Sequence, residues 1–483
     1  MIPLLGFTPD VDPATPGVIV EATNAIPHPA GMKGAHTAVA VSDVPALAAE
    51  CRNAAVAALL AGTRRVFAGT STKLYELSGG VWLDRSRGGS YSLGTDERWS
   101  IAQFGDDTLA SNKSTVVQRS PGAGAFADVA TAPKAVALAC AAGFVMAVNT
   151  NEATYGDSPD RWWCCAQNNA ASWTPSVTTL ATTGRLVSSP GPLITVKAFG
   201  DQVVAYKEKA LYLGRFVAGD AAVWQFDQVP GDVGCVGVDA VTDIGPAHIF
   251  VGRGDIFYFD GTRPVSIAEG TIRQWFYDNA SPEYLSRTIV THDKQQNLVW
   301  FFYASKNSTG ARDSAIVYLL GRREWGVVTQ TIEASMNYVS PGFTYDTLPG
   351  ATMDTMPAIS FDSQYWLASG RFMAVFTSAH QLSSLTGVTG ASSITLFDVG
   401  DDIQVTRLDR MTVSYLSNPT SATCAGFTRL ARGAVTTTGG TGTYTNGKFD
   451  IRQAGRFHKV RVDMVGNWTA AGVNFILKKA GNR

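Results

Sequence analysis

LYELSG at residues 74–79 sets two apolar side chains three positions apart and closes on glycine, the form of a short strand running into a turn. The same form returns as IFYFDG at 256–261, IVYLLG at 316–321 and LSSLTG at 382–387. The framework positions are Leu74, Leu77 and Gly79; Ile256, Phe259 and Gly261; Ile316, Leu319 and Gly321; and Leu382, Leu385 and Gly387. Two looser copies lie between them, VVQRSPG at 116–122 with its glycine one place late and LYLGRF from Leu211 with its glycine early. A phrase that recurs every few tens of residues is the mark of a repeat architecture.

Successive copies stand 42, 95, 45, 60 and 66 residues apart, and the longest interval has room for two units. FVMAVNTNEATYGD at 144–157 supplies the missing strand, turn and strand, which brings the count to about seven units, with six as the alternative. Most copies follow a second apolar strand across a small polar turn, as in RVFAGTSTKLYEL at 65–77, QVVAYKEKALYL at 202–213 and HIFVGRGDIFYF at 248–259. Several are followed by an aromatic residue on a further strand: Trp82, Phe126, Trp173, Trp224 and Trp325. Such a unit, repeating at about 40–60 residues, fits a four-stranded blade better than the strand spacing of about 8–12 that marks a sandwich or barrel. The recurring phrase is then the inner strand of each blade. The expected fold is all-β, a β-propeller with a C-terminal antiparallel β-sandwich and an extended N-terminal arm.

A chain of 483 residues exceeds one ordinary core, so a large repeat body or several domains are expected. Charged residues make up only 16 per cent, against about 25 per cent in an average globular protein. Much of the surface is therefore uncharged, which suits burial in an assembly. Formal net charge is −1 and the basic pairs are isolated (Arg64 with Arg65, Arg322 with Arg323, Lys478 with Lys479), so each reads as a solvated turn. Duplex binding through clustered cations is not indicated. Six scattered cysteines without a CxxC pair read as reduced, mostly buried thiols. The N-terminus lacks the basic and apolar regions of a secretory signal, and no run of about 18 apolar residues marks a membrane span.

Residues 1–50, with Pro3, Pro9, Pro13, Pro16, Pro27 and Pro29, read as an extended arm that lies along the body or a neighbour. Residues 44–60 hold the one plausible helix, whose second half could equally be the first propeller strand. The propeller is expected over 51–390, with long rim loops at 174–192 and 341–357. After Gly390 the phrase stops, and partly alternating strand candidates fill 391–483 as the sandwich, with the tract 434–446 as a polar hairpin loop.

No dinucleotide fingerprint, Walker loop, HExxH, GxSxG or calcium loop occurs, and the six histidines are far apart. No catalytic, cofactor or metal residue is therefore assigned. A propeller glycosidase would need two carboxylates about 5–9.5 Å apart, and Glu152, Asp255, Glu269 and Glu283 are candidates that nothing in the sequence separates.

SPDRWWCCAQNNAASWTP at 158–175, with Pro159, Asp160, Arg161 and Trp162 at its head, resembles a phrase in the tail nozzle proteins of short-tailed bacteriophages. That family is also called packaged-DNA stabilisation protein or tail tubular protein B. The similarity continues, in order, through 195–213, 272–303, 315–325 and 456–480, and so covers about residues 140–483. The resemblance implies a structural virion protein without enzymatic turnover or cofactor. It implies a homohexameric ring at the end of the tail, assembled in the host cytoplasm, which retains packaged DNA and conducts it at ejection without reading its sequence. Implied partners are the portal and adaptor, a tail fibre or spike, and a tail needle or plug. Two other readings stand beside it: a tail-tip protein binding host glycan, and a glycoside hydrolase.

Overall fold

The computed structural model describes residues 1–42, 44–217, 223–339, 356, 371–432 and 434–481. Among them, strands dominate; helix is confined to Arg273–Asn279 and a 3₁₀ turn at Leu285–Arg287. Six separate four-stranded antiparallel sheets and the first four strands of a ten-stranded sheet make seven blades. Blades 1 to 6 run in chain order over 54–84, 100–128, 134–185, 193–228, 241–266 and 289–332. Their first strands, from Ala54–Ala58 to Ile289–Asp293, lie side by side, and Ala334–Val339 of blade 7 returns to Ala54–Ala58 to close the ring. The described residues thus include a seven-bladed β-propeller.

The recurring phrase occupies the third strand of its blade and not the inner one. Leu74–Ser78, Gln118–Pro121, Leu211–Phe216, Ile256–Phe259, Arg312–Leu319 and Leu382–Ser384 all stand third in their sheets. The inner strands escape notice because they converge on the axis, where small side chains are needed; they read AAVAA in blade 1 and KAVALACA in blade 3. Leu74, Ile256, Phe259, Ile316, Leu319, Leu382 and Leu385 are buried, and Leu77 is half-buried. Gly79 and Gly261 end their strands at φ +58° and +94°, a left-handed backbone that glycine adopts freely. Of the five marker aromatics, Trp82, Trp224 and Trp325 lie on fourth strands, Phe126 stands just before one, and Trp173 lies in the connection between the third and fourth strands of blade 3.

Blade 7 takes its fourth strand, Val39–Ala40, from the N-terminal arm, where it pairs with Ser383 and Ser384. The arm is therefore a set of strands that lies along its own chain. Ile2–Pro3 pairs with Val473 and Gly472, and Ile19–Thr23 pairs with Ser392–Leu396. Ala25–His28 and Gly31–Gly34 join the last strand of blade 6 to Thr469–Gly481. One ten-stranded sheet thus runs from blade 6 through the arm into the C-terminal strands Thr469–Gly481, Val405–Ser417 and Lys448–Gly455. A second sheet orders Ile19–Thr23, Ser392–Leu396, Phe457–Val465, Ser421–Arg429 and Thr437–Thr443 against it, and the two form the sandwich. Burial alternates along Lys448–Gly455 and Phe457–Val465, as a half-buried sheet requires. Leu4, Phe7, Val18 and Ile19 of the arm share one hydrophobic core with Phe250 of blade 5, Trp325 of blade 6 and Leu408 of the sandwich.

Several expectations are corrected. Residues 44–60 form no helix, and their second half holds the first propeller strand, Ala54–Ala58, as the alternative reading expects, although Val41, Val44, Leu47 and Cys51 are buried at near-helical spacing. Their amides are claimed from elsewhere: Leu47 N–H donates to the His380 carbonyl, and Cys51 N–H to Glu333 Oε2 at 2.8 Å. The tract 434–446 contains the strand Thr437–Thr443, because its glycines let two sheets touch; a Cβ on Gly440 would stand 1.9 Å from the Ile451 carbonyl oxygen. The stretch 174–192 holds the fourth strand of blade 3, Thr182–Arg185, so it is not one long loop. The second expected rim loop, 341–357, lies outside the described residues apart from Met356. Arg65 is buried and not solvated: its guanidinium makes two bonds to Glu76, at 2.7 and 3.0 Å, while Arg64 is exposed.

The cysteines are free, and burial pushes the thiols of Cys51, Cys140, Cys164 and Cys235 up to about 12. Burial likewise pushes His28, His36, His248, His292 and His458 below the ordinary imidazole value. His248 is held neutral between the Tyr206 hydroxyl at 2.7 Å and the Ala198 carbonyl at 2.8 Å. A depressed folded pKa gives stability that is full above the unfolded value of about 6.5 and is lost as pH falls through the folded value. The urea midpoint is therefore expected to fall steadily from pH 7 to pH 5. A midpoint that stays flat across that interval contradicts the burial of neutral imidazoles.

Candidate functional site

In an antiparallel blade the start of the first strand and the turn between the second and third strands lie on the same face. Three clefts gather on that face, called here the upper face. Two of them, about 590 and 640 Å³, adjoin over blades 4 and 5 and share Glu208 and Arg253. Glu208 follows Gln202–Lys207, and Arg253 follows His248–Val251, so each sits at the second turn of its blade. Their ion pair crosses from blade to blade and divides the two volumes. Arg253 is largely exposed, and a pair so placed contributes at most about 1 kcal/mol.

The floor under this pair is built more firmly. Lys207 is fully buried and donates to the Leu186 and Ser189 carbonyls at 2.7 and 2.6 Å, and burial pulls its pKa down. The Tyr277 hydroxyl lies 2.6 Å from the Gly252 carbonyl oxygen and 2.9 Å from that of Asp255, which holds the turn carrying Arg253. Phe257 lines one cleft and Tyr277 the other.

Of the four candidate carboxylates, Asp255 and Glu269 come together on Arg273, while Glu152 lies in blade 3 and Glu283 lines the neighbouring cleft. Glu152 caps its own turn in blade 3, accepting from the Thr154 amide at 2.6 Å. Asp255 is buried and accepts from the Ile256 amide at 2.8 Å, and Glu283 lines the other cleft. Asp255 and exposed Glu269 each lie 3.7 Å from the same nitrogen of Arg273. Among the described residues, no group of three or more His, Cys, Asp or Glu side chains could hold a metal ion.

The mouth of the propeller axis also lies on the upper face. Arg98, just before the first strand of blade 2, forms an ion pair with Asp239, just before that of blade 5. Its Nη1 also donates to the Glu333 carbonyl at the start of blade 7, at 3.3 Å. The neighbouring Asp96 pairs with Arg287 of blade 6 at 2.7 Å, while Arg52 of blade 1 donates to the carbonyls of Gly94 and Thr95. The segment 94–99 is thus tied to blades 1, 5, 6 and 7, and side chains cross the axis.

Pro159, Asp160, Arg161 and Trp162 all lie on the third strand of blade 3, Gly156–Cys164, away from these clefts. Pro159 is exposed. Asp160 binds Arg185 of the next strand through two hydrogen bonds, at 3.0 and 2.8 Å, and these outweigh the effect of burial to lower its pKa. Arg161 lies 3.8 Å over the Tyr155 ring, and buried Trp162 packs against Phe226 of blade 4 at 5.0 Å. Within the phrase, Trp162 thus joins blade 3 to blade 4, while the contacts of Asp160 and Arg161 stay within blade 3. Sequence reading missed Arg98, Lys207, Glu208 and Arg253, whose significance comes from partners in other blades; the only local signal is their position at strand ends.

No family model and no curated protein sequence matches this chain. Among solved structures it is similar to the WD40 domain of Pan2 from Neurospora crassa, at 9% identity and TM-score 0.39, over 73% of this chain and 97% of that one. Human WBSCR16 aligns at 11% identity and TM-score 0.34, over 60% of this chain and 85% of that one. The computationally designed protein Ika8 aligns at 10% identity and TM-score 0.36, over 72% and 99%. The propeller itself rests on the strand pairing described above.

Proposed function

We propose that this chain is a structural subunit of the tail of a short-tailed bacteriophage, a nozzle protein whose copies form a hexameric ring that retains packaged DNA and conducts it at ejection. The observation that carries this reading is an apolar cluster at one end of the sandwich. Ile403, Leu430 and Val435 are 77%, 65% and 89% exposed, and the Asp402–Arg432 ion pair brings their segments together. Leu416 and Val465 are exposed at the opposite end, and Met1 and Leu5 on the arm. Among the described residues, half of the large exposed apolar side chains thus sit on the arm and sandwich, although these make up far less than half of those residues. Apolar side chains so grouped suit burial against a second copy.

The blocked propeller axis has a consequence for this assembly: a channel for duplex DNA lies between copies and not through the blades. Low surface charge suits such a channel, since dense lysine and arginine would grip the phosphates. Binding of host glycan at the upper-face clefts is the second reading, favoured by the two adjoining volumes beside Phe257 and Tyr277. Mass photometry of the intact chain tests the first. The Ile403→Glu, Leu430→Glu double variant is expected to shift the population toward monomer with an unchanged melting temperature. Oligomers that persist unaltered in this variant count against the sandwich end as the interface, and saturable glycan binding by the isolated chain supports the second reading.

A further inference from the structure

We propose that the cleft at the mouth of the propeller axis is a binding site for a small oxyanion of the phosphate class, held by Arg312 and Arg98 with Arg287 at its rim. The cleft lies over blades 1, 2, 6 and 7 and measures about 270 Å³. Four arginines reach it, Arg52, Arg98, Arg287 and Arg312. Three of them have a carboxylate of their own: Glu50 for Arg52 at 3.1 Å, Asp239 for Arg98, and Asp96 for Arg287 at 2.7 Å. Arg312 has none within ion-pair distance among the described residues. Glu50 and Asp239 act on it only from beyond ion-pair distance, and Glu333 offers it a backbone carbonyl, at 2.9 Å from Nη2. The Glu333 carboxylate is turned to other partners, the Cys51 amide at 2.8 Å and His380 Nδ1 at 2.7 Å.

Arg312 is 5% exposed, so its charge is held away from water with no carboxylate in direct contact, an arrangement that is costly unless an anion completes it. Its Nε has no hydrogen-bond partner, and neither has the buried Nη2 of Arg98. Burial and the nearby Arg98 guanidinium push the Arg312 pKa down, to about 9, against the opposing pull of Glu50 and Asp239. Guanidinium forks match the geometry of phosphate and similar oxyanions. The volume falls below the 300–1,000 Å³ or so of sites for drug-sized ligands, which selects a small ion over a nucleotide.

The place is informative as well. Glu333 opens blade 7 and Cys51 precedes blade 1, so the cleft adjoins the seam where the ring closes. An anion bound there braces the closure, and its binding should appear as stability.

The test is titration of the intact chain with inorganic phosphate at low millimolar concentration, with chloride matching the ionic strength, read by calorimetry and by thermal unfolding. One phosphate per chain and a saturable rise in melting temperature are expected. An equal concentration of adenosine monophosphate should give a smaller rise. Arg312→Met should abolish the rise while leaving the melting temperature without phosphate unchanged or higher. Arg287→Gln, at the more exposed rim, should bind phosphate about tenfold more weakly through loss of one charge-assisted contact, and carries the test if Arg312→Met does not fold. A rise no greater than that in chloride, or phosphate affinity unchanged in both variants, overturns the proposal.

Discussion

Deletion of residues 1–41 is expected to leave no cooperatively folded chain. The deletion removes five strands, Ile2–Pro3, Ile19–Thr23, Ala25–His28, Gly31–Gly34 and Val39–Ala40. Blade 7 loses its fourth strand, one sandwich sheet loses its edge, and the strands joining blade 6 to the sandwich disappear. Leu4, Phe7, Val18, Ile19, Ile26 and Met32 are each at most 2% exposed, and burying side chains of these types contributes about 1.5–3 kcal/mol apiece. The six together contribute about 9–18 kcal/mol, comparable with or larger than the 5–15 kcal/mol or so by which a domain is stable. Their partners in the core, Phe250, Trp325 and Leu408 among them, would face water. Expression of the truncated chain with circular dichroism and limited proteolysis checks this. A soluble product with an unchanged unfolding midpoint would show that the arm is an accessory.

The second large effect is expected at Glu76→Ala. Glu76 is 7% exposed and binds two arginines, Arg65 within blade 1 and Arg85 at 2.7 Å. Arg65, itself 4% exposed, also reaches into blade 2 through Ser120 Oγ at 2.9 Å and the Gly124 carbonyl at 3.0 Å. Removal of the carboxylate leaves a buried guanidinium uncompensated, which costs about 3–5 kcal/mol. Replacing both partners by apolar residues, as in Arg65→Met with Glu76→Leu, should recover most of that loss. Denaturant unfolding of the two variants separates these outcomes, and a loss below about 1 kcal/mol for Glu76→Ala would mean that water reaches Arg65. Burial alone would raise the Glu76 pKa, but the hydrogen bonds from Arg65 and Arg85 outweigh it and hold the carboxyl below its ordinary value. Its contribution is thus complete above about pH 4.5 and disappears only as acid carries the pH through the lower folded value.

The contrast between what was legible in the sequence and what was not follows distance along the chain. Strand, turn and strand within a blade are neighbours in sequence, so HIFVGRGDIFYFDG announces the middle of blade 5 at once. The inner strands are less visible because crowding at the axis selects alanine, as in AAVAA of Ala54–Ala58, and an alanine run reads equally as helix. The arm strands are invisible for a different reason: Ile2 pairs with Val473, and Ala22 with Ile394, so their pairing has no local signature. The glycine tract before Tyr444 looks like a loop because glycine disfavours strands, yet close approach of Ile451 requires it there. Arg98, Arg312 and Asp239 carry no motif either; only the ring brings their three blades to one mouth.

Electron microscopy of the assembled chain decides whether the copies form a ring. A closed ring of six copies around an open channel is expected, with neighbouring copies in contact through the ends of the sandwich near Ile403 and Leu430, and with the mouth of each propeller closed by Arg98. Separate monomers under assembly conditions, or a ring whose copies touch only through the upper-face clefts and leave the sandwich ends bare, would contradict it.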